Sequence, residues 1–393
     1  MVTVLVLLDL SAAFDTLDHG ILLSRLKSHV GVTEATIDWF SSYLSNRRQT
    51  VVINGTSRTD CLQSDTPASY PLRYGVPQGS VLGPILFNIY LRPLGDVIRK
   101  HGLKCHFYAD DSQLYISARP NSADVESQID ILEACCRDIR SWLSFNYLKL
   151  NDGKTDIIIL GSPASLRKVP SVTVNIGAHN ISSVAQVRTL GVNLESNMSM
   201  QCHIRAVSRT VMYHLHNISK IKRYLGNSAT EQVIHMLVTS RLDYCNAVFA
   251  GLPASTLAPL QRVQNAAARL LTGTRKHEHI TPMLMQLHWL PVRYRIIFKV
   301  CLLVFKCLHG QAPDYLRELL HIHKPVRITR LSAEGSRLMC PRTKLASAGG
   351  RMFSAIGPQL WNNLSINLRE AESLGTFKTG LKTHLFREAF RAV

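Results

Sequence analysis

The nine cysteines include no Cys-x-x-Cys pair, and an odd number cannot pair off completely. This excludes a closed disulfide framework and reads as reduced, intracellular thiols. Nor is a zinc knuckle evident. Cys301 and Cys307 lie in an apolar helical run and read as core. Long hydrophobic runs are also missing. The most apolar later stretch, Ile296 to Leu308, is 13 residues long and contains Lys299 and Lys306, which excludes a membrane span. Met1 to Leu8 is apolar but lacks the length and basic flank of a signal peptide. No internal repeat is found.

Acidic residues are scarce in one half only. Residues 1–200 hold 18 Lys/Arg and 18 Asp/Glu, whereas residues 201–393 hold 27 and 9, so the whole net charge of +18 falls in the second half. Such a field suits a polyanion, because phosphate contacts supply most non-specific nucleic-acid affinity; a solubilising basic surface is the plainer alternative. At 46% hydrophobic residues over 393 positions, the chain can fill two or three cores.

The chain is organised around Phe107-Tyr108-Ala109-Asp110-Asp111. Alternating runs on either side, Leu103 to Phe107 and Ser112 to Ser117, predict a β-hairpin with carboxylates at its turn. Adjacent carboxylates repel, and a hard divalent cation is the usual compensation; a solvated Asp-Asp turn is the alternative. Two further stretches bear on the choice. Val4 to Leu8 predicts a buried strand ending in Asp9. Tyr74-Gly75-Val76-Pro77-Gln78-Gly79-Ser80-Val81-Leu82-Gly83-Pro84 predicts a loop running into an apolar helix, with Gly79 and Gly83 allowing close backbone approach.

In this order and spacing the three stretches resemble reverse transcriptases. The longer forms LLDLSAAFDTLDH, GVPQGSVLGPILFNIYL and FYADDSQLY resemble the non-LTR, LINE-type branch. The resemblance implies an α+β fold. A polymerase palm, an antiparallel sheet with flanking helices, would occupy about 1–195. A helical thumb over 196–275 and a basic, mostly helical C-terminal domain over 276–393 would follow. Thr239 to Asn246, Leu260 to Leu270, Leu287 to Arg293 and Phe353 to Asn363 resemble C-terminal regions of vertebrate LINE-type proteins, with no sharp role attached. The resemblance also implies that basic fingers residues and an endonuclease domain would precede Met1, so the chain is expected to be the truncated C-terminal part of a polyprotein and to extend primers poorly.

The implied reaction is RNA-directed DNA synthesis, primed on target DNA. Phosphoryl transfer of this kind uses two metals about 4 Å apart. Asp9 and Asp110 would be ligands, Asp111 the third acid, and the Leu10 carbonyl a further donor. Mg²⁺ is the expected metal, two ions, with Mn²⁺ as substitute. Phe14 would block a ribose 2′-hydroxyl, or simply fill the core. Gln78 and Gly79 would meet the incoming nucleotide. Lys154 would protonate leaving pyrophosphate, or be a surface lysine. Asp15 and Asp18 read as caps or structural partners. The expected partners are an RNA template, a DNA primer or target, and deoxynucleoside triphosphates, with no membrane and no oligomeric state implied. The expected location is nuclear or cytoplasmic, as a ribonucleoprotein. The competing reading is a nucleic-acid-binding remnant without catalysis, which Mg²⁺-dependent primer extension would separate from the first.

Local patterns complete the expectations. Helices are predicted from Asp18 or His19 to Ser28, Thr33 to Ser45, Ser80 or Val81 to Lys100, and from Ser122, where Asp124 and Glu126 suit the helix dipole. Hairpins are predicted at Gln49–Ile53/Thr56–Leu62 across Asn54-Gly55, and within Val172 to Val184. A strand is predicted at Ile157 to Leu160, and loops at Ser64 to Leu72 and Lys324 to Gly350.

Overall fold

The computed structural model describes residues 1–50, 52–53, 56–57, 69–169, 171–177, 179–323, 337–342 and 349–391. Two compact units emerge: Met1–Thr189 with Glu195–Met198, and Leu190–Leu194 with Ser199–Val393.

The first unit is built on a four-stranded sheet in the order Asp156–Leu160, Val2–Leu8, Asp111–Ala118, Lys104–Tyr108. All three pairings are antiparallel. The first strand is central, which explains its composition. VTVLVLL is β-branched and apolar nearly throughout, as a strand covered on both faces requires. Val4, Val6 and Leu8 point into the same core as Leu114 and Ile157.

Helices cover the sheet. Asp18 caps His19–Arg25 by accepting the Ile21 N–H at 2.8 Å, as its sequence position predicts. That helix runs on through a π-turn, Leu26–Val30. Glu34–Leu44 and the 24-residue Ser122–Phe145 fall where expected. Val125, Leu132, Cys136, Ile139 and Leu143 of the latter are buried in the sheet's core, as their spacing predicts.

Three expectations need correction. The helix predicted to reach Lys100 without a break is two, Gly83–Leu91 and Leu94–Lys100, because Pro93 cannot donate to the ladder. Within the predicted 49–62 hairpin, Val52–Ile53 does pair with Thr56–Ser57. Arg48–Thr50 pairs instead with Ser69–Pro71, inside the stretch predicted as loop. Arg48 secures that strand, its Nε donating to Ser69 Oγ at 3.0 Å and its Nη2 to the Ser69 carbonyl at 2.7 Å. Asn54-Gly55, residues 58–68, and residues 324–336 and 343–348 of the predicted later loop lie outside the described residues. Third, Asp111 is the first residue of the second hairpin strand and not part of the turn.

The second unit is predominantly helical. Gln201–Ile221 and Ala254–Thr272 pack through Val211, Leu215, Leu260 and Ala267. Val292–Leu308, Phe353–Asn362 and Leu374–Phe390 enclose Phe305, Trp361 and Phe377. The division drawn at 275/276 falls inside this one unit. Cys301 and Cys307 are buried there, and burial pushes the Cys301 thiol up to about 12. Among the described residues no helix is long and apolar enough to cross a membrane.

Candidate active site

The sheet register brings the acids together. Leu7 faces Gln113 and Leu8 faces Ser112. The pairing ends there, with Asp9 the next residue after Leu8 and Asp111 the residue before Ser112. The hairpin's last pair is Tyr108 with Asp111, which leaves a two-residue turn, Ala109-Asp110. Ala109 has φ of 52°, a left-handed conformation that is unfavourable for a residue with a Cβ. The fold accepts that cost where it sets Asp110 beside Asp111.

The electrostatics agree with the register. The Asp111 carboxyl is pushed above the usual carboxylate range, first by burial, then by the charges of Asp110 and Asp9; Lys154 opposes the shift. Three acids and one lysine therefore share one field. Lys154 Nζ stands 3.4 Å from Asp9 Oδ2, on a side chain 70% exposed. The same oxygen accepts Asn151 Nδ2 at 3.0 Å, and the Asp9 carbonyl accepts the Asn151 N–H at 2.9 Å. Leu10 is buried and sits in a two-residue strand paired with Lys149-Leu150.

Ligand chemistry here is all oxygen, which fits a hard divalent cation. Among the described residues, however, no three His, Cys, Asp or Glu side chains stand close enough to hold an ion as they are placed. Asp9 is turned to Lys154 and Asn151 instead.

The loop side of the site is ordered by packing. Phe14 is half-buried, its ring 4.9 Å from that of the fully buried Phe87. The Phe14 carbonyl accepts the Val76 N–H at 2.8 Å. Gly75 follows from this approach. At φ of 85°, a Cβ there would fall 2.9 Å from the Phe14 and Asp15 carbonyl oxygens. Gln78 Nε2 donates to both Asp15 carboxylate oxygens, at 3.0 and 3.1 Å. Asp15 is thus a structural partner, as its position suggested. Gly79 is exposed at φ of 77° with open space around it. Asn151 and Gly75 were missed as site residues. Gly75 lies in the loop motif from Tyr74 to Pro84, but the contacts that matter, from Asn151 to Asp9 and from Gly75 to Phe14, reach across the fold.

A central antiparallel sheet that carries Asp9 just past the end of one strand and Asp110 and Asp111 at the hairpin of its neighbour, beside a glycine-relieved loop, fits the nucleotidyl-transferring polymerases. Comparison with known proteins narrows the class: residues 1–194 match the family "Reverse transcriptase (RNA-dependent DNA polymerase)" and form a reverse transcriptase domain. Among similar sequences, the RNA-directed DNA polymerase from mobile element jockey of Drosophila funebris is 24% identical over 274 residues, 68% of this chain and 28% of that protein. The 115 kDa protein of type-1 retrotransposable element R1DM of Drosophila melanogaster is 27% identical over 199 residues, 51% of this chain and 17% of its own length. The chain thus spans less than a third of these relatives. A truncated telomerase from Candida tropicalis is structurally similar over 50% of this chain and 34% of its own, at 14% identity and a TM-score of 0.33, too loose a likeness to define the fold.

Proposed function

We propose that this chain is the RNA-directed DNA polymerase portion of a LINE-type retrotransposon protein, with the four-stranded sheet as its palm. The charges of Asp9 and Asp110, both felt by the Asp111 carboxyl, carry the reading. These three would hold two Mg²⁺ ions, or Mn²⁺, with the Leu10 carbonyl as a further donor. Such ions, when bound, neutralise charge on the attacking and leaving oxygens of phosphoryl transfer. The raised pKa of Asp111 supports this, since a carboxylate crowded by two others gains from added positive charge.

The chain's own residues do the rest. Asn151 fixes the Asp9 carboxylate in orientation. Lys154 leaves Asp9 for the leaving pyrophosphate and gives it a proton; its exposed side chain has the freedom to swing. Phe14, held by Phe87, stands under the sugar and excludes a 2′-hydroxyl. Gln78 moves from Asp15 to the incoming deoxynucleoside triphosphate, and Gly79 lets it approach. The basic second half grips the phosphates of an RNA template paired with a DNA primer or target. The motifs at Leu287–Arg293 and Phe353–Asn363 support a vertebrate lineage, and the working location is a ribonucleoprotein in the nucleus or cytoplasm.

RNA-templated incorporation of a labelled deoxynucleotide in Mg²⁺ tests this. Incorporation that fails when the template is omitted supports it. Tight nucleic-acid binding with no incorporation in Mg²⁺ or Mn²⁺ would instead favour the non-catalytic reading.

A further inference from the structure

The turn that carries Asn151 and Lys154 onto Asp9 is itself held from behind. Asp152, between them, opens the short 3-10 turn Asp152–Lys154. Backbone pairing tethers the turn at both ends, Leu150 with Leu10 before it and Asp156 with Leu7 after it. Between those tethers its own hydrogen bonds are long. Lys154 N–H and Thr155 Oγ1 share the Asn151 carbonyl at 3.1 and 3.2 Å, and Thr155 N–H reaches the Asp152 carbonyl at 3.4 Å. A shorter contact comes from outside the turn. Arg140, on the helix Ser122–Phe145, donates from Nη2 to Asp152 Oδ1 at 2.6 Å and from Nη1 to Oδ2 at 3.4 Å.

A hairpin aims that guanidinium. Its strands, Thr173–Ile176 and His179–Ser182, pair antiparallel. The Ile176 carbonyl accepts a second bond from Arg140 Nη2, at 3.2 Å. The next residue, Gly177, lies against the guanidinium. A Cβ there would fall 2.7 Å from Arg140 Cζ and 2.8 Å from Nη2, and its φ is 68°. Glycine therefore serves both the backbone conformation and the close approach. From the second strand, His179 Nε2 stands 3.6 Å from Asp152 Oδ2. An isolated surface ion pair would fix little. Here the Asp152 side chain is only 18% exposed, and the arginine is already seated on Gly177 and the Ile176 carbonyl. Little freedom is left for either partner to lose, and a two-pronged arginine–carboxylate contact sets direction as well as distance.

We propose that Arg140 is a positioning residue for the polymerase site. Through Asp152 it sets the turn from which Asn151 orients the Asp9 carboxylate and Lys154 reaches it. This role rests on the polymerase reading of Asp9. It also gives the hairpin at 173–182 a task, as the seat of the arginine.

Two measurements on Arg140→Gln separate this role from general support of the fold. The first is hydrogen exchange. The Asn151 N–H, which the Asp9 carbonyl holds at 2.9 Å, should exchange at least about tenfold faster, while Val4 to Leu8 exchange as in the parent. The second is single-turnover addition of one deoxynucleotide on an RNA template, with chain in excess. At saturating nucleotide it should slow about 10–100-fold, with nucleotide and heteroduplex affinities unchanged. A variant that merely folds less well keeps its rate constant. Arg140→Gln combined with Asn151→Ala should stay within about threefold of Asn151→Ala alone, because both changes act on one link. Should Arg140→Gln not fold, Gly177→Ala displaces the guanidinium without altering either partner and should give the same two changes. Unchanged exchange at Asn151, an unchanged rate beside an active parent, or losses that multiply in the double variant would each overturn the proposal and leave the polymerase reading standing. A parent that adds no nucleotide in Mg²⁺ or Mn²⁺ would overturn the polymerase reading, and this role with it.

Discussion

Asn151 holds Asp9 twice: its N–H donates to the Asp9 carbonyl at 2.9 Å and its side-chain amide to Asp9 Oδ2 at 3.0 Å. The two residues are 142 positions apart in sequence. They meet because Leu10 pairs with Leu150, which extends the end of the first strand against the turn that follows the long helix. A carboxylate on a strand end is otherwise free to rotate. This clamp reduces that freedom and leaves Oδ1 available.

The first prediction follows from the clamp. Asn151→Ala should lower the rate of nucleotide incorporation about 10–100-fold, the usual cost of removing a partner that orients a ligating side chain. Heteroduplex affinity should be unchanged. Single-turnover extension and a binding titration on the same variant check both halves. Equal rates for variant and parent would make the clamp purely structural.

Asp111 gives a pH signature. A carboxyl whose pKa is raised in the folded chain favours folding most when protonated. That benefit is lost as the pH rises through the folded value. At neutral pH the parent therefore carries a penalty that Asp111→Asn lacks. In chelator-containing buffer the variant should melt higher than the parent at pH 7, with the gap closing toward pH 4. A constant gap across that range would place the cause elsewhere.

Gly75 and Gly79 are both left-handed, yet they should respond differently. Gly79→Ala meets nothing within 4 Å and should cost about 1 kcal/mol for conformation alone. Gly75→Ala adds a collision with two carbonyl oxygens at 2.9 Å and should cost about 2–3 kcal/mol. Urea unfolding of the pair measures the difference.

Phe14 couples sugar choice to packing. Phe14→Ala removes the ring from Phe87 and should destabilise by about 2 kcal/mol, less than a fully buried phenylalanine would. If the ring also excludes the 2′-hydroxyl, the variant should incorporate ribonucleotides while its deoxynucleotide rate falls little. Loss of stability with unchanged sugar discrimination would return Phe14 to the core alone.

Much of this was legible in the sequence because the signals are local. VTVLVLL reads as a buried strand, Asp18 is one of two cap candidates before its helix, and the alternating runs on either side of Tyr108 to Asp111 mark a hairpin, though not which of its acids lies in the turn. What was not legible depends on pairing across distance. The edge strand Ser69–Pro71 contains a proline and no alternating pattern, so nothing local marks it as a partner of Arg48–Thr50. The break at Pro93 was visible but was outweighed by the apolar stripe on either side. The hold of Asn151 on Asp9 and of Asp15 on Gln78 exists only once the chain is folded. Likewise, Asp152 gives no sign in the sequence of the Arg140 guanidinium that holds it.

The central claim is that Asp9, Asp110 and Asp111 act together as the catalytic acids of a reverse transcriptase. The most direct measurement is single-turnover addition of one deoxynucleotide to a DNA primer on an RNA template, with excess chain, in Mg²⁺ and in Mn²⁺. It compares the parent with Asp9→Asn and Asp110→Asn. The account predicts metal-dependent addition by the parent, even if slow, and a loss of at least about 100-fold in either variant while both still bind the heteroduplex. Addition that persists undiminished in Asp110→Asn, or a parent that binds the heteroduplex and adds nothing in either metal, would contradict it.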